Sequence, residues 1–160
     1  MVDQPASTAN VKMPGTPKPW MNRAVAGMLR VPGLRRIMGR TFAVITVTGA
    51  KTGKRYTTPV QHMTVDGHYV VLSQKHRVWW RNIGARPDVE LLIAGRVVRA
   101  EATIAEADDA HRLLAQCLED NPRVAKFYGV TADEHGAIRA DDVAELADRM
   151  VVIDIRPGPG

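Results

Sequence analysis

With 160 residues the chain is long enough for one domain with its own core, and its apolar share of 45% is ordinary for a soluble globular protein. Cys117 is the single cysteine, which excludes a disulfide framework, and no run of 18 or more apolar residues is present to span a bilayer, so a reducing, cytoplasmic setting is expected. The net charge of +5 is unevenly spread: residues 1–100 hold 16 Lys or Arg against 4 Asp or Glu, and the remainder holds 6 against 13. The basic part therefore suits an anionic partner, whether a phosphorylated cofactor, a membrane surface or nucleic acid.

Residues 1–17 are small, polar and proline-rich, and are expected to be loose. Over 18–40, Trp20, Met21, Val25, Met28, Leu29, Leu34, Ile37 and Met38 fall mostly on one side of a helix, with arginines between them. Such a basic amphipathic helix, broken near Pro32-Gly33, packs on the rest of the domain or lies on anionic lipid.

Phe42 to Thr48 is β-branched or aromatic almost throughout and predicts a strand. It enters the turn Gly49-Ala50-Lys51-Thr52-Gly53-Lys54-Arg55, in which two glycines allow close backbone approach and three cations project together. A polyanion suits this loop, although a solvated hairpin turn has the same pattern. It is not a nucleotide-hydrolase phosphate loop: three residues, not four, separate the glycines, and Arg55 follows Lys54 where a hydroxyl is needed for magnesium. The chain leaves through Tyr56 to Val60, where Pro59 has no N–H for a ladder and so predicts an edge or a bulge.

Asp66-Gly67 between Val60–Thr64 and Tyr69–Ser73 predicts a tight hairpin. A second basic loop, Ser73 to Arg77, leads into a short helix predicted over Val78–Ala85, in which adjacent Trp79 and Trp80 face different ways, one toward the core and one toward a pocket. Val89–Ile93 and Arg96–Ile104 form a further hairpin about Ala94-Gly95, and Ala107–Leu118 reads as a helix stopped by Asn121-Pro122. Residues 130–140 predict a loop, Asp141–Asp148 a short helix capped by Asp141 or Asp142, and Met150–Ile155 a closing strand. Six strands with helices beside them predict an α+β fold, a six-stranded antiparallel β-barrel occupying 41–156.

The five histidines are scattered without a cysteine pair or an H-E-x-x-H spacing, so no metal site is expected. Cys117 sits on the apolar face of a predicted helix, where an inert thiol is the default, and no serine stands in a nucleophile elbow. What remains is a groove with two basic turns and, on its far side, Trp79, Trp80 and Asn82, a donor set for a flat anionic cofactor such as a flavin or for stacked bases. No nucleic-acid motif accompanies the charge, and nucleic acid is not expected as a partner.

Taken in order, the strand, G-x-K-T-G, Thr58-Pro59, the Asp66-Gly67 hairpin, Ser73, Trp79-Trp80-Arg81-Asn82, Ala85-Arg86-Pro87 and the Gly95 hairpin resemble the deazaflavin (F420)-dependent nitroreductase family across about residues 40–105. The resemblance implies a split β-barrel of the FMN-binding type, dimeric or peripherally membrane-associated, that uses reduced coenzyme F420, with FMN as the alternative cofactor. It places the coenzyme's acidic tail at Lys51, Thr52, Gly53, Lys54 and Arg55, with Thr58 and Pro59 beyond them. Ser73, Gln74, Lys75, Trp79 and Asn82 then border the ring system. Where members often carry arginine after the first glycine and three residues after the second, this chain has Ala50 and Tyr56. The implied reaction is hydride transfer to a small electrophile such as an activated alkene, quinone or nitro compound, with Tyr128 or solvent supplying the proton.

Overall fold

A computed structural model describes residues 40–159, together with Arg23, Gly27, Val31 and Gly33. The segment expected to be loose at 1–17 and nearly all of the basic helix expected at 18–40, with its proposed lipid-facing side, lie outside the described residues. Among the described residues no helix is long and apolar enough to cross a membrane.

Six strands close into an antiparallel barrel in the order β1-β2-β3-β6-β5-β4. They are β1 Phe42–Thr48, β2 Arg55–Val65, β3 His68–Gln74, β4 Asp88–Ile93, β5 Arg96–Ile104 and β6 Met150–Pro157. Two of the hairpins turn on adjacent residues with positive φ, Asp66-Gly67 and Ala94-Gly95, the pairing that a twisted two-residue turn demands. Period-2 alternation sends Ala43, Ile45 and Val47 of β1 inward, where they meet Val89 and Leu91, Ala100 and Ala102, and Val151, Ile153 and Ile155 in the barrel core. The intervening residues face outward.

Three helices cover part of that outer face: α1 Ala107–Asp120, α2 Pro122–Phe127 and α3 Ala140–Arg149. Leu113 and Cys117 of α1 pack on Met63, Val65, Val70 and Val152 of the strands. Leu114 and Leu118 turn instead to α2 and α3, meeting Ala125, Val143 and Leu146. Pro122, which cannot continue α1 but is tolerated in a first turn, separates α1 from α2.

Three expectations are corrected. The helix predicted over Val78–Ala85 is a single 3-10 turn, Trp79–Asn82. Neither Asp141 nor Asp142 caps α3: Arg139 is at the N-cap, the two aspartates lie in the first turn, and buried Asp142 accepts the Thr131 N–H at 3.4 Å. Core contact is not reserved to one of the two tryptophans, because both Trp79 and Trp80 are partly buried against the barrel core.

Pro59 sits where its missing N–H costs nothing. The His62 N–H donates to the Thr41 carbonyl, so in an antiparallel ladder the nitrogens at His62, Val60 and Thr58 point toward β1 and that of Pro59 points away. On that far side β3 pairs with β2 only from His62 onward, leaving Arg55 to Gln61 without a strand partner among the described residues.

Candidate functional site

The basic turn is a closed loop held by its own backbone. The Gly49 N–H donates to the Lys54 carbonyl at 2.7 Å and the Gly53 N–H to the Gly49 carbonyl at 2.9 Å. Inside the loop, Thr52 Oγ1 accepts the Lys54 N–H at 3.2 Å and contacts the Tyr56 hydroxyl at 3.2 Å. Gly53 has a φ of +65°, as a left-handed turn position requires. Gly49 is constrained differently, since a Cβ there would stand 2.6 Å from Thr52 Oγ1 and 2.8 Å from the Tyr56 ring. Thr52 and Gly53 thus shape the turn with groups that the sequence assigned to ligand contact.

Asn82 joins this turn to the tryptophan turn. Its Oδ1 accepts the Ala50 N–H at 3.0 Å and its Nδ2 donates to the Trp79 carbonyl at 3.0 Å. One amide therefore spans 32 residues of sequence and brings the G-x-K-T-G loop and the W-x-x-N motif to the same end of the barrel. With one bond made by each amide atom, Asn82 ties the two turns together.

The three turn cations separate. Arg55 pairs with Thr48 in the ladder and so faces outward, where its guanidinium forms an ion pair with Glu90 of β4 across β1. That removes Arg55 from the inward-facing wall, a correction to its expected place with Lys51 and Lys54. The lysines flank Thr52-Gly53, are exposed, and make no ion pair among the described residues. Tyr56, one residue on, takes the inward-facing position opposite Val47 and is 45% exposed, marking the barrel's open mouth.

Beyond Tyr56 the same wall carries Thr58, half-buried and opposite Ile45. Arg77, from the loop after β3, reaches it with Nη2 3.5 Å from Thr58 Oγ1. Pro59 is on the opposite face from Thr58, so it belongs to the strand's outer side and not to the wall of the mouth. Ser73 ends the inward row of β3 opposite Val151, and the Arg77 N–H donates back to the Gln74 carbonyl at 3.1 Å, folding Lys75 into an exposed turn. Ser73 Oγ and the indole nitrogens of Trp79 and Trp80 are buried without a hydrogen-bond partner among the described residues. Buried polar atoms are nearly always satisfied, so these three call for partners that the described residues do not supply.

Tyr128 is elsewhere. It is 6% exposed in the helical layer, with Leu114, Leu118, Val143 and Leu146 around it and Phe127 edge-on at 5.2 Å. Burial raises its phenol above the ordinary tyrosine value. The candidate proton donor is therefore packed outside the barrel and not set at the mouth.

A cleft of about 430 Å³ lies on the outer surface between β5, β6 and the start of α1. Glu101, Glu106, Asp109 and Asp154 line it, and Arg112 and Arg156 pair with the two aspartates, leaving the glutamates as its uncompensated charge. Among the described residues no cluster of His, Cys, Asp or Glu is arranged to hold a metal.

A family model described as F420H(2)-dependent quinone reductase matches residues 20–137. Among solved structures, the chain is similar to an F420-H2 dependent reductase (22% identity, 72% of this chain and 93% of that one, TM-score 0.51). It is similar as well to a protein described as a domain-swapped dimer (20%, 85% and 96%, TM-score 0.51). A third is the heme storage protein HutZ of Vibrio cholerae (15%, 76% and 84%, TM-score 0.52). At these identities the structural likenesses establish the fold, a split β-barrel.

Proposed function

Since the chain belongs to the F420H(2)-dependent quinone reductase family, we propose that it is an oxidoreductase that binds reduced coenzyme F420 at the mouth of the barrel and reduces a quinone by two electrons. Activated alkenes and nitro compounds are neighbouring classes of acceptor for the same chemistry. The observation that carries the reading is the Asn82 bridge between a lysine-bearing turn and the tryptophan turn, whose indole N–H groups, like the Ser73 hydroxyl, have no partner among the described residues.

These residues fit the coenzyme. A polar, planar ring system needs buried hydrogen-bond partners beside aromatic walls, which Ser73, Trp79 and Trp80 supply. An acidic tail needs available cations, which Lys51 and Lys54, without an ion pair among the described residues, supply from a turn whose backbone is already fixed. When bound, reduced F420 supplies a hydride from carbon 5 of its ring. The protein's part is then to hold that face toward the acceptor and keep water from it, and no catalytic triad is needed. With Tyr128 packed in the helical layer, solvent at the open mouth beside Tyr56 delivers the proton.

A fluorescence titration with F420 at low salt, followed by stopped-flow oxidation of F420H2 by a short-chain quinone, tests the reading. Saturable binding and quinone-dependent oxidation are expected, and failure to bind sinks it. The FMN alternative predicts yellow protein on purification, and a parallel FMN titration separates the two. Assembly as a homodimer and contact of the 18–40 stretch with anionic lipid belong to the same reading. The first draws support from the dimeric relative and the second from the basic amphipathic pattern. Light scattering and vesicle sedimentation address them respectively.

A further inference from the structure

Resting on the F420 reading above, we propose that Arg77 is the residue that fixes the phosphate of the coenzyme's acidic tail, a role that the family resemblance gives to Lys51, Lys54 and Arg55 of the basic turn. Arg55 faces the outer surface and is occupied by Glu90. Arg81 lies over the Trp80 ring, its guanidinium carbon 5.5 Å from the ring centre. Lys51 and Lys54 stand exposed on the tip of the turn. Arg77 differs from all of them: it is half-buried, has no carboxylate partner among the described residues, and points at Thr58 on the inward face of β2.

Its contact with Thr58 is at the long limit for a hydrogen bond, 3.5 Å, and among the described residues most of its five N–H donors have no acceptor. A guanidinium held beside a hydroxyl, partly out of water, presents a planar fork matched to a phosphate, where a charge-assisted pair is stronger than one made by an exposed lysine. The backbone bond from Arg77 to Gln74 closes the short loop that follows Ser73, and from that loop the fork reaches Thr58 on β2. Tail recognition is then divided, with Arg77 on the phosphate near the ring and Lys51 and Lys54 on charges farther out.

The test compares wild type, Arg77→Gln, Arg77→Lys and Arg55→Gln by fluorescence titration at two salt concentrations. The ligands are F420 and the same deazaflavin lacking its phosphate and glutamates. Arg77→Gln is expected to bind F420 about tenfold more weakly or worse, as loss of a charge-assisted pair implies, with a shallower salt dependence. Its affinity for the tail-less compound should stay within about twofold, Arg77→Lys should recover part of the loss, and Arg55→Gln should stay near wild type. The inference is overturned by unchanged F420 binding in Arg77→Gln, by equal weakening of both ligands, or by a loss in Arg55→Gln as large as that in Arg77→Gln. Should Arg77→Gln not fold, Arg77→Met keeps the side-chain stem and carries the same expectations. If wild type binds neither compound, the F420 reading itself falls and takes this inference with it. If wild type binds both equally, the reading stands and only the inference falls.

Discussion

Replacing Asn82 by Ala removes one acceptor and one donor that together tie the basic turn to the tryptophan turn. Each net hydrogen bond is worth about 0.5–1.5 kcal/mol, so Asn82→Ala should cost about 1–3 kcal/mol in urea unfolding. Asn82→Asp separates the two bonds. Its carboxylate still accepts the Ala50 N–H, but the second oxygen is pressed against the Trp79 carbonyl, 3.0 Å from where Nδ2 donated. Protonation turns that oxygen into a donor, so the folded state raises the carboxyl above its ordinary value of about 3.9. A group whose folded pKa is raised contributes stability that is full below the unfolded value and is lost as pH rises through the folded one. The variant's deficit against wild type should therefore be small near pH 4 and grow to about 1–3 kcal/mol by pH 7.5. Urea melts of both proteins across that range supply the measurement. A deficit independent of pH would refute the opposed-carbonyl geometry, and an Asn82→Ala cost below about 0.5 kcal/mol would refute the clamp itself.

Other perturbations follow from the same structure. Gly49→Ala must displace Thr52 or the Tyr56 ring from contacts of 2.6 and 2.8 Å and should cost about 1–3 kcal/mol, with Gly49→Ala/Tyr56→Ala less than additive in a double-mutant cycle. Leu146 is fully buried between the helices, so Leu146→Ala should cost about 2–5 kcal/mol by thermal or urea melts. Burial, with Asp120 and Asp154 adding to it, pushes the Cys117 thiol from 9.0 up to about 12. Folded protein should therefore resist thiol labelling at pH 8, and it should lose about 1.4 kcal/mol per pH unit above 9 relative to Cys117→Ala, because only the unfolded chain ionises there. Rapid labelling of folded protein would contradict that environment.

Much of the barrel was legible because its strands carry strong local signals. Phe42–Thr48 has no competing helical pattern, and Asp66-Gly67 and Ala94-Gly95 state their hairpins in the residues that positive φ demands. The closing pairs, β1 with β4 and β3 with β6, join segments far apart in sequence, and no local feature announces them. The predicted helix at Val78–Ala85 failed for a definite reason: the Asn82 side chain takes the Trp79 carbonyl that Ile83 would use in an α-helix, and the Ile83 N–H bonds Trp80 instead. In the site, the spacing rightly joined the lysine turn to W-x-x-N. It could not say which of Arg55 and Tyr56 faces inward, since that depends on register. Nor could it show that Tyr128 is claimed by the helical layer. Arg77 was legible only as the end of a second basic loop, and its reach toward Thr58 distinguishes it.

The half of β2 that, among the described residues, has no strand neighbour on its β3 side bears on how the protein behaves when concentrated. By the ladder's alternation, Thr57 and Gln61 direct N–H groups to that side, and Pro59 between them offers none. A foreign strand laid along this border finds its hydrogen-bond register broken at the middle, the device by which sheet margins resist stacking into aggregates. Pro59 is thus a gatekeeper for colloidal behaviour, and a β-branched residue in its place would restore the missing rung and invite chains to join there.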